Sequence, residues 1–243
     1  MVIDDQLAEA HVSMGYVMFY DWNWSGAERA FRRAVAAGPG YATGHQWFSE
    51  YLITHGRFDE AEHEARRALA LDPMSPLMEN SLSDVLFFSR RYEEALAVVR
   101  RMLELNPHYI PGLTDLGRTL TELGVHDEAI AMFEQARAIT KGLGKAPAGL
   151  AYALARAGRT EEARRMLAEI EARMSETGAI GSRHAIAVIH LALGDAAAAL
   201  EWLERAHAAR DQALVWLKVH PRLDPLRGEP RFERIRVAMG LGE

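Results

Sequence analysis

Small and large apolar positions recur along the chain at fixed offsets. Gly15 is followed by Ala27, Phe31, Ala34 and Pro39, and positions of this set recur about every 34 residues through six copies, with the proline in the first three. Within each copy the apolar positions fall three to four apart in two stretches, the mark of two amphipathic helices joined by a short turn. A period of this length predicts an all-α array of stacked helix pairs. In copy one, residues 8–41, Met14, Gly15 and Met18 form one stripe, and Ala27, Phe31, Ala34 and Val35 the other. Gly15 and Ala27 let two antiparallel helices approach, and Phe31 fills the wedge beyond them. The run from Asp21 to Gly26 makes the turn, with Asn23 or Ser25 placed to cap the second helix.

The later copies span 42–75, 76–109, 110–143, 144–179 and 180–213. Lys141 stands where earlier copies carry Pro39, Pro73 and Pro107, so the second helix of copy four is predicted to run on until Gly142 and Gly144 stop it. A Ser175–Gly178 connection lengthens the step to copy six. Residues 214–243 read as capping helices. Leu214 to Leu217 is expected to bury the open face of copy six, and Phe232 to Met239 forms a last helix behind Pro230, closed by Gly240. At the other end Ile3-Asp4-Asp5 falls in register with Leu71-Asp72-Pro73 and Leu105-Asn106-Pro107. Residues 1–7 therefore read as the remnant of a preceding repeat or an N-terminal extension, and the chain as a piece of a longer protein.

These offsets resemble the tetratricopeptide repeat over residues 8–213. The tail His220-Pro221-Arg222-Leu223-Asp224-Pro225-Leu226-Arg227, with Pro230-Arg231-Phe232, resembles the end of such regions in bacterial multidomain signalling proteins. The resemblance implies a right-handed α-α superhelical solenoid of about six repeats, whose first helices line a concave groove that holds a peptide or a partner domain. The inward positions would be Val12, Tyr16, Phe19 and Tyr20; Gln46, Glu50 and Thr54; Asn80, Asp84, Phe87 and Phe88; Thr114, Arg118 and Glu122; and Lys145, Tyr152 and Arg156. Two readings of the aromatic residues stand, contact with a ligand in the groove or burial between helices. Chaperone-binding members of the family grip a C-terminal carboxylate with Lys and Asn. Tyr16, Glu50 and Asp84 stand at those positions here, which favours an extended peptide carrying apolar and basic residues instead.

Charge and composition narrow the remaining classes. A formal net charge of -6 offers no global basic field for nucleic acid or an anionic membrane. No cysteine is present, which removes disulfides, thiolate metal sites and a cysteine nucleophile. The start lacks the basic and apolar regions of a secretory signal, and a cytoplasmic location is expected.

The sequence carries no catalytic constellation. Gly142-Leu143-Gly144-Lys145 resembles the end of a phosphate-binding loop, but Ile139 stands where its first glycine is required and Ala146 where a metal-ligating hydroxyl is required. Glu60 with His63 has the spacing of carboxylate metal sites, yet no second pair faces it, and His184 and His190 cannot share a helix face. No metal or cofactor is expected. Arg222, Arg227, Arg231, Arg234 and Arg236 are interleaved with acids and read as a salt-bridged face rather than a phosphate patch. The sequence therefore points to a protein-binding scaffold, the regulatory arm of a larger protein. Self-association by end-to-end stacking of repeats is the alternative.

Overall fold

A computed structural model describes residues 7–177 and 183–242. All but the last residue of the remnant read at residues 1–7, and the end of the connection that follows Ser175, lie outside them. Among the described residues thirteen α-helices follow in order. They are α1 (Ala8–Tyr20), α2 (Trp24–Ala37), α3 (Ala42–Thr54), α4 (Phe58–Leu71), α5 (Pro76–Phe88), α6 (Tyr92–Leu105), α7 (Ile110–Glu122), α8 (His126–Ile139), α9 (Ala146–Arg156), α10 (Thr160–Thr177), α11 (Arg183–Ala192), α12 (Ala196–Ala208) and α13 (Pro230–Ala238). No strand occurs among the described residues. The helices fall into helix-turn-helix pairs that stack as repeats, the all-α solenoid class that the periodicity predicts.

The chain divides into two compact units. Unit 1 holds residues 1–91 together with Val215–His220 and Arg236–Glu243. Unit 2 holds Tyr92–Leu214 and Pro221–Ile235. In unit 1, α1 pairs with α2 and α3 with α4, and α1, α3 and α5 lie side by side. In unit 2, α7 pairs with α8, α9 with α10 and α11 with α12, and the first helices α7, α9 and α11 are again neighbours.

Close approach explains the small residues. A Cβ added to Gly15 would stand 2.5 Å from the Phe31 ring, so only glycine lets that ring lie flat on α1. Phe133 is held the same way on two sides, by Gly117 of α7 and Gly149 of α9. It sits at the centre of an apolar cluster with Met102, Leu116, Leu120, Leu150 and Leu154. Of the two residues offered as the cap of α2, Asn23 takes the role, its side chain accepting from the Gly26 amide at 3.1 Å.

Two expectations are corrected. The second helix of copy four does not run on. It stops at Ile139, like its counterparts, because the Thr140 hydroxyl turns back to the Ala136 carbonyl at 2.9 Å and Lys141 and Gly142 adopt φ of 51° and 78°. The stretch around Leu214 is no amphipathic α-helix. It forms a 3₁₀ turn at Gln212–Trp216, and a second follows at Pro221–Leu226. Its apolar side chains are not confined to the end of the array. Leu214 belongs to unit 2, whereas Val215, Leu217 and Val219 are buried in unit 1. The last helix begins at Pro230 and is followed by Gly240 at φ 72°.

Candidate functional site

In unit 1 the stretch Val215–His220 occupies the side of the first helices that the sequence marked as a groove. Trp216 stacks on Phe88, with ring centroids 4.8 Å apart and planes 17° apart, and meets Phe19 edge-on at 6.5 Å. His220 approaches Phe88 from the edge at 5.8 Å. The indole of Trp24 donates to the Met239 carbonyl at 2.6 Å, so the end of the chain is also seated in this unit. Phe19, Phe87 and Phe88 are thus packing residues rather than open surface, and Val12 and Thr54 are buried with them. Burial is the correction to the groove reading at these five positions.

What remains accessible in unit 1 is smaller and better defined. Tyr16, Tyr20 and Trp47 form a cluster of rings at steep angles to one another, with Tyr16 to Trp47 at 4.8 Å and 90°, and Tyr16 to Tyr20 at 4.9 Å and 65°. Tyr16 keeps 38% of its surface, and Tyr20 and Trp47 are half-buried. Gln46, itself buried, donates to the Glu50 carboxylate one turn on. Burial, then the charge of Glu50, then Tyr16 push the Tyr20 hydroxyl well above the ordinary tyrosine range, so it remains a neutral donor. Asn80 and Asp84 of α5 are half-buried.

Trp47 was missed in the sequence. The signal was its register, because the positions 34 residues apart read Ser13, Trp47, Ser81, Asp115 and Gly149, and only the second copy is bulky there.

In unit 2 the polar residues offered as groove contacts are engaged by the tail. Arg222 donates to Glu122 at 2.7 Å and to the Arg118 carbonyl at 3.4 Å. Its guanidinium lies 3.9 Å from the centroid of the Tyr152 ring. The Arg222 and Glu122 side chains are 9% and 10% exposed, so this is a buried pair. Arg156 completes the group, donating to the Tyr152 hydroxyl at 2.9 Å and standing 3.7 Å from Glu122, while Arg118 pairs with Asp115 at 3.1 Å. Burial raises the Tyr152 pKa. Thr114 bonds back to the Pro111 carbonyl, and Lys145 is exposed.

Three other arginines of the tail have individual partners: Arg227 with Asp224 at 2.6 Å, Arg231 with Glu204 at 2.7 Å, and Arg236 with the Leu241 carbonyl at 2.7 Å. Arg222 differs from the solvated face expected of this cluster, since it points into the protein. Glu60 pairs with Arg57 at 2.6 Å.

Tetratricopeptide-repeat models match residues 49–110, 87–142, 122–182 and 180–222, which together run unbroken over residues 49–222, well over half of the chain. The chain belongs to the tetratricopeptide repeat family, whose members generally mediate protein–protein interactions. No curated protein matches it significantly. Among solved structures it is similar to a thermophilic repeat protein of Thermus thermophilus, at 20% identity and a TM-score of 0.62 over 83% of this chain and 98% of that one. It is similar also to PilW, a type IV pilus biogenesis factor, at 19% identity and a TM-score of 0.62 over 83% and 92%. A third is pilF of Pseudomonas aeruginosa, at 19% identity and a TM-score of 0.58 over 95% and 97%. At these identities the likeness speaks for the fold.

Proposed function

We propose that this protein is a non-catalytic, cytoplasmic scaffold that captures an extended segment of a partner protein on the Tyr16–Tyr20–Trp47 cluster, with Glu50 receiving a basic side chain. The observation that carries the reading is this half-exposed aromatic cluster beside a carboxylate. Rigid aromatic rings offer large contact area at little entropic cost, and such anchors dominate binding surfaces. The neighbouring positions support the chemistry. In unit 2 the protein's own Arg222 binds between a carboxylate and a tyrosine ring, the same pairing that Glu50 and the ring cluster offer to a partner. A regulatory role in a larger bacterial signalling protein is part of the proposal and rests on the tail motif from His220 to Phe232.

Selection from a random peptide library tests it. Peptides that combine Lys or Arg with apolar residues should be enriched, and Trp47→Ala should weaken the selected peptides at least tenfold, the loss of roughly 2 kcal/mol typical of a hot-spot aromatic. Glu50→Lys should shift selection toward acidic peptides. Selection indifferent to both substitutions would place binding elsewhere.

A further inference from the structure

Unit 2 holds one arginine in an arrangement that the repeats bring round again in unit 1. Arg222 sits between α7 and α9, where its Nε donates to Glu122 at 2.7 Å and its Nη2 to the Arg118 carbonyl at 3.4 Å. Its guanidinium carbon lies 3.9 Å from the centroid of the Tyr152 ring. Pro221 and Leu223, on either side of it, are buried.

Three repeats of 34 residues earlier, the counterpart of Glu122 is Tyr20, that of Tyr152 is Glu50 and that of Arg118 is Tyr16. The helices correspond as well, α1 lying beside α3 in unit 1 as α7 lies beside α9 in unit 2. Ring and carboxylate have changed places across the junction of copies one and two, and both sides of that junction belong to the chain. Tyr20 and Glu50 are each half-buried. At Tyr20 burial and then the charge of Glu50 raise the hydroxyl's pKa, and at Tyr152 burial does so, with Arg222 opposing and Glu122 adding. Gln46 donates to Glu50, and an ionised carboxylate has room for about four such bonds.

We propose that the junction of Tyr20 and Glu50 is a socket for one arginine of the partner segment, flanked there by apolar residues as Arg222 is by Pro221 and Leu223. The inference rests on the reading above that a partner segment binds the Tyr16–Tyr20–Trp47 cluster, and it names the side chain that anchors the segment. Charge selects a cation, since α1, α3 and α5 contain no lysine or arginine and carry Glu9, Glu50, Glu79 and Asp84. Lys218, which the tail brings into this unit, acts at His55, beyond the end of α3. Shape selects arginine over lysine. A planar guanidinium can lay its face on a ring while its edge donates to a carboxylate and a carbonyl, and an ammonium cannot. The apolar flanks follow from Tyr16 and Trp47, whose partly exposed rings border Tyr20.

The probe is a synthetic peptide with the sequence of residues 219–226, which presents Arg222 between its own neighbours. It should bind the full chain saturably, and replacing its arginine by lysine, or by uncharged citrulline, should weaken it about tenfold or more. Glu50→Gln and Tyr20→Leu should each do the same with the circular dichroism spectrum unchanged. The decisive variant is the exchange Tyr20→Glu/Glu50→Tyr, which recreates the order found in unit 2. It should bind within about threefold of the wild type, although Tyr20→Glu alone does not bind. Equal binding of the arginine and lysine peptides, no binding to the wild-type chain, binding indifferent to both Glu50→Gln and Tyr20→Leu, or an exchange variant no better than Tyr20→Glu overturns the proposal. Sedimentation showing a dimer that Glu50→Gln dissociates also overturns it, by giving the socket to a second copy. In each of those cases, library peptides that still depend on Trp47 would leave the binding surface standing without its arginine socket, whereas loss of that dependence would remove both.

Discussion

At the scale of single residues, the repeat signature turns into contact distances. Phe31 is fully buried over Gly15, and Phe31→Ala should cost about 3–5 kcal/mol in denaturant unfolding, the usual loss for a core aromatic. The reverse change is as informative. Gly149→Ala would set a Cβ 2.2 Å from Phe133, and overpacking of that kind costs about 1–3 kcal/mol, whereas Ala at an open glycine such as Gly40 should cost little.

His184 supplies a pH dependence. Burial pushes its pKa from 6.5 down to about 4, with Asp211 partly opposing the shift. Between those values the unfolded chain binds a proton that the folded chain does not. Stability from this residue is therefore present above pH 6.5 and is lost as pH falls toward 4. Urea midpoints at about pH 7 and about pH 5 should differ in the wild type, and His184→Asn should flatten that difference even if it lowers both midpoints.

At the scale of elements, helices of this array are tied by ion pairs that recur with the repeat. Arg57, just before α4, reaches Glu28 of α2 at 2.7 Å, and Arg91 reaches Glu62 of α4 from the equivalent position. Burial opposes ionisation of Glu28, but hydrogen bonds from Arg57 and Arg32 prevail and hold its carboxyl below the usual range. These pairs are partly solvated and orient the helices more than they stabilise them. The Arg222–Glu122 pair is different in kind, because both side chains are buried and Tyr152 closes over the guanidinium. Arg222→Ala should cost about 3 kcal/mol, the low end for breaking a buried pair, since Arg156 remains beside Glu122. Thermal unfolding with the double variant Arg222→Ala/Glu122→Gln checks this; it should recover part of the loss by removing the stranded charge.

At the scale of the whole molecule, the order of stability is not the order of the repeats. An array in which each copy contacts only its neighbours loses only its last copies when the end is removed. Here the last 29 residues, 215–243, are divided between the two units, and Val215 and Leu217 are fully buried in unit 1. Deleting 215–243 should therefore speed amide exchange in α1 and α5, as well as in α11 and α12, and lower the melting temperature. Exchange confined to α11 and α12 would show that the tail is a simple terminal cap.

How much could be read before the fold was known follows from what kind of interaction each feature depends on. Helix pairs and the roles of Gly15, Ala27, Phe31 and Ala34 are set by contacts within one copy or with the next, so the repeating sequence alone determined them. The burial of Phe19 and Phe88 and the place of Arg222 depend on residues far apart in the chain. Nothing in the period of a helix says which distant segment will cover it. The tertiary structure alone decided those, because the free energy of burying Trp216 and Val215 is gained only where the folded helices have already assembled an apolar surface.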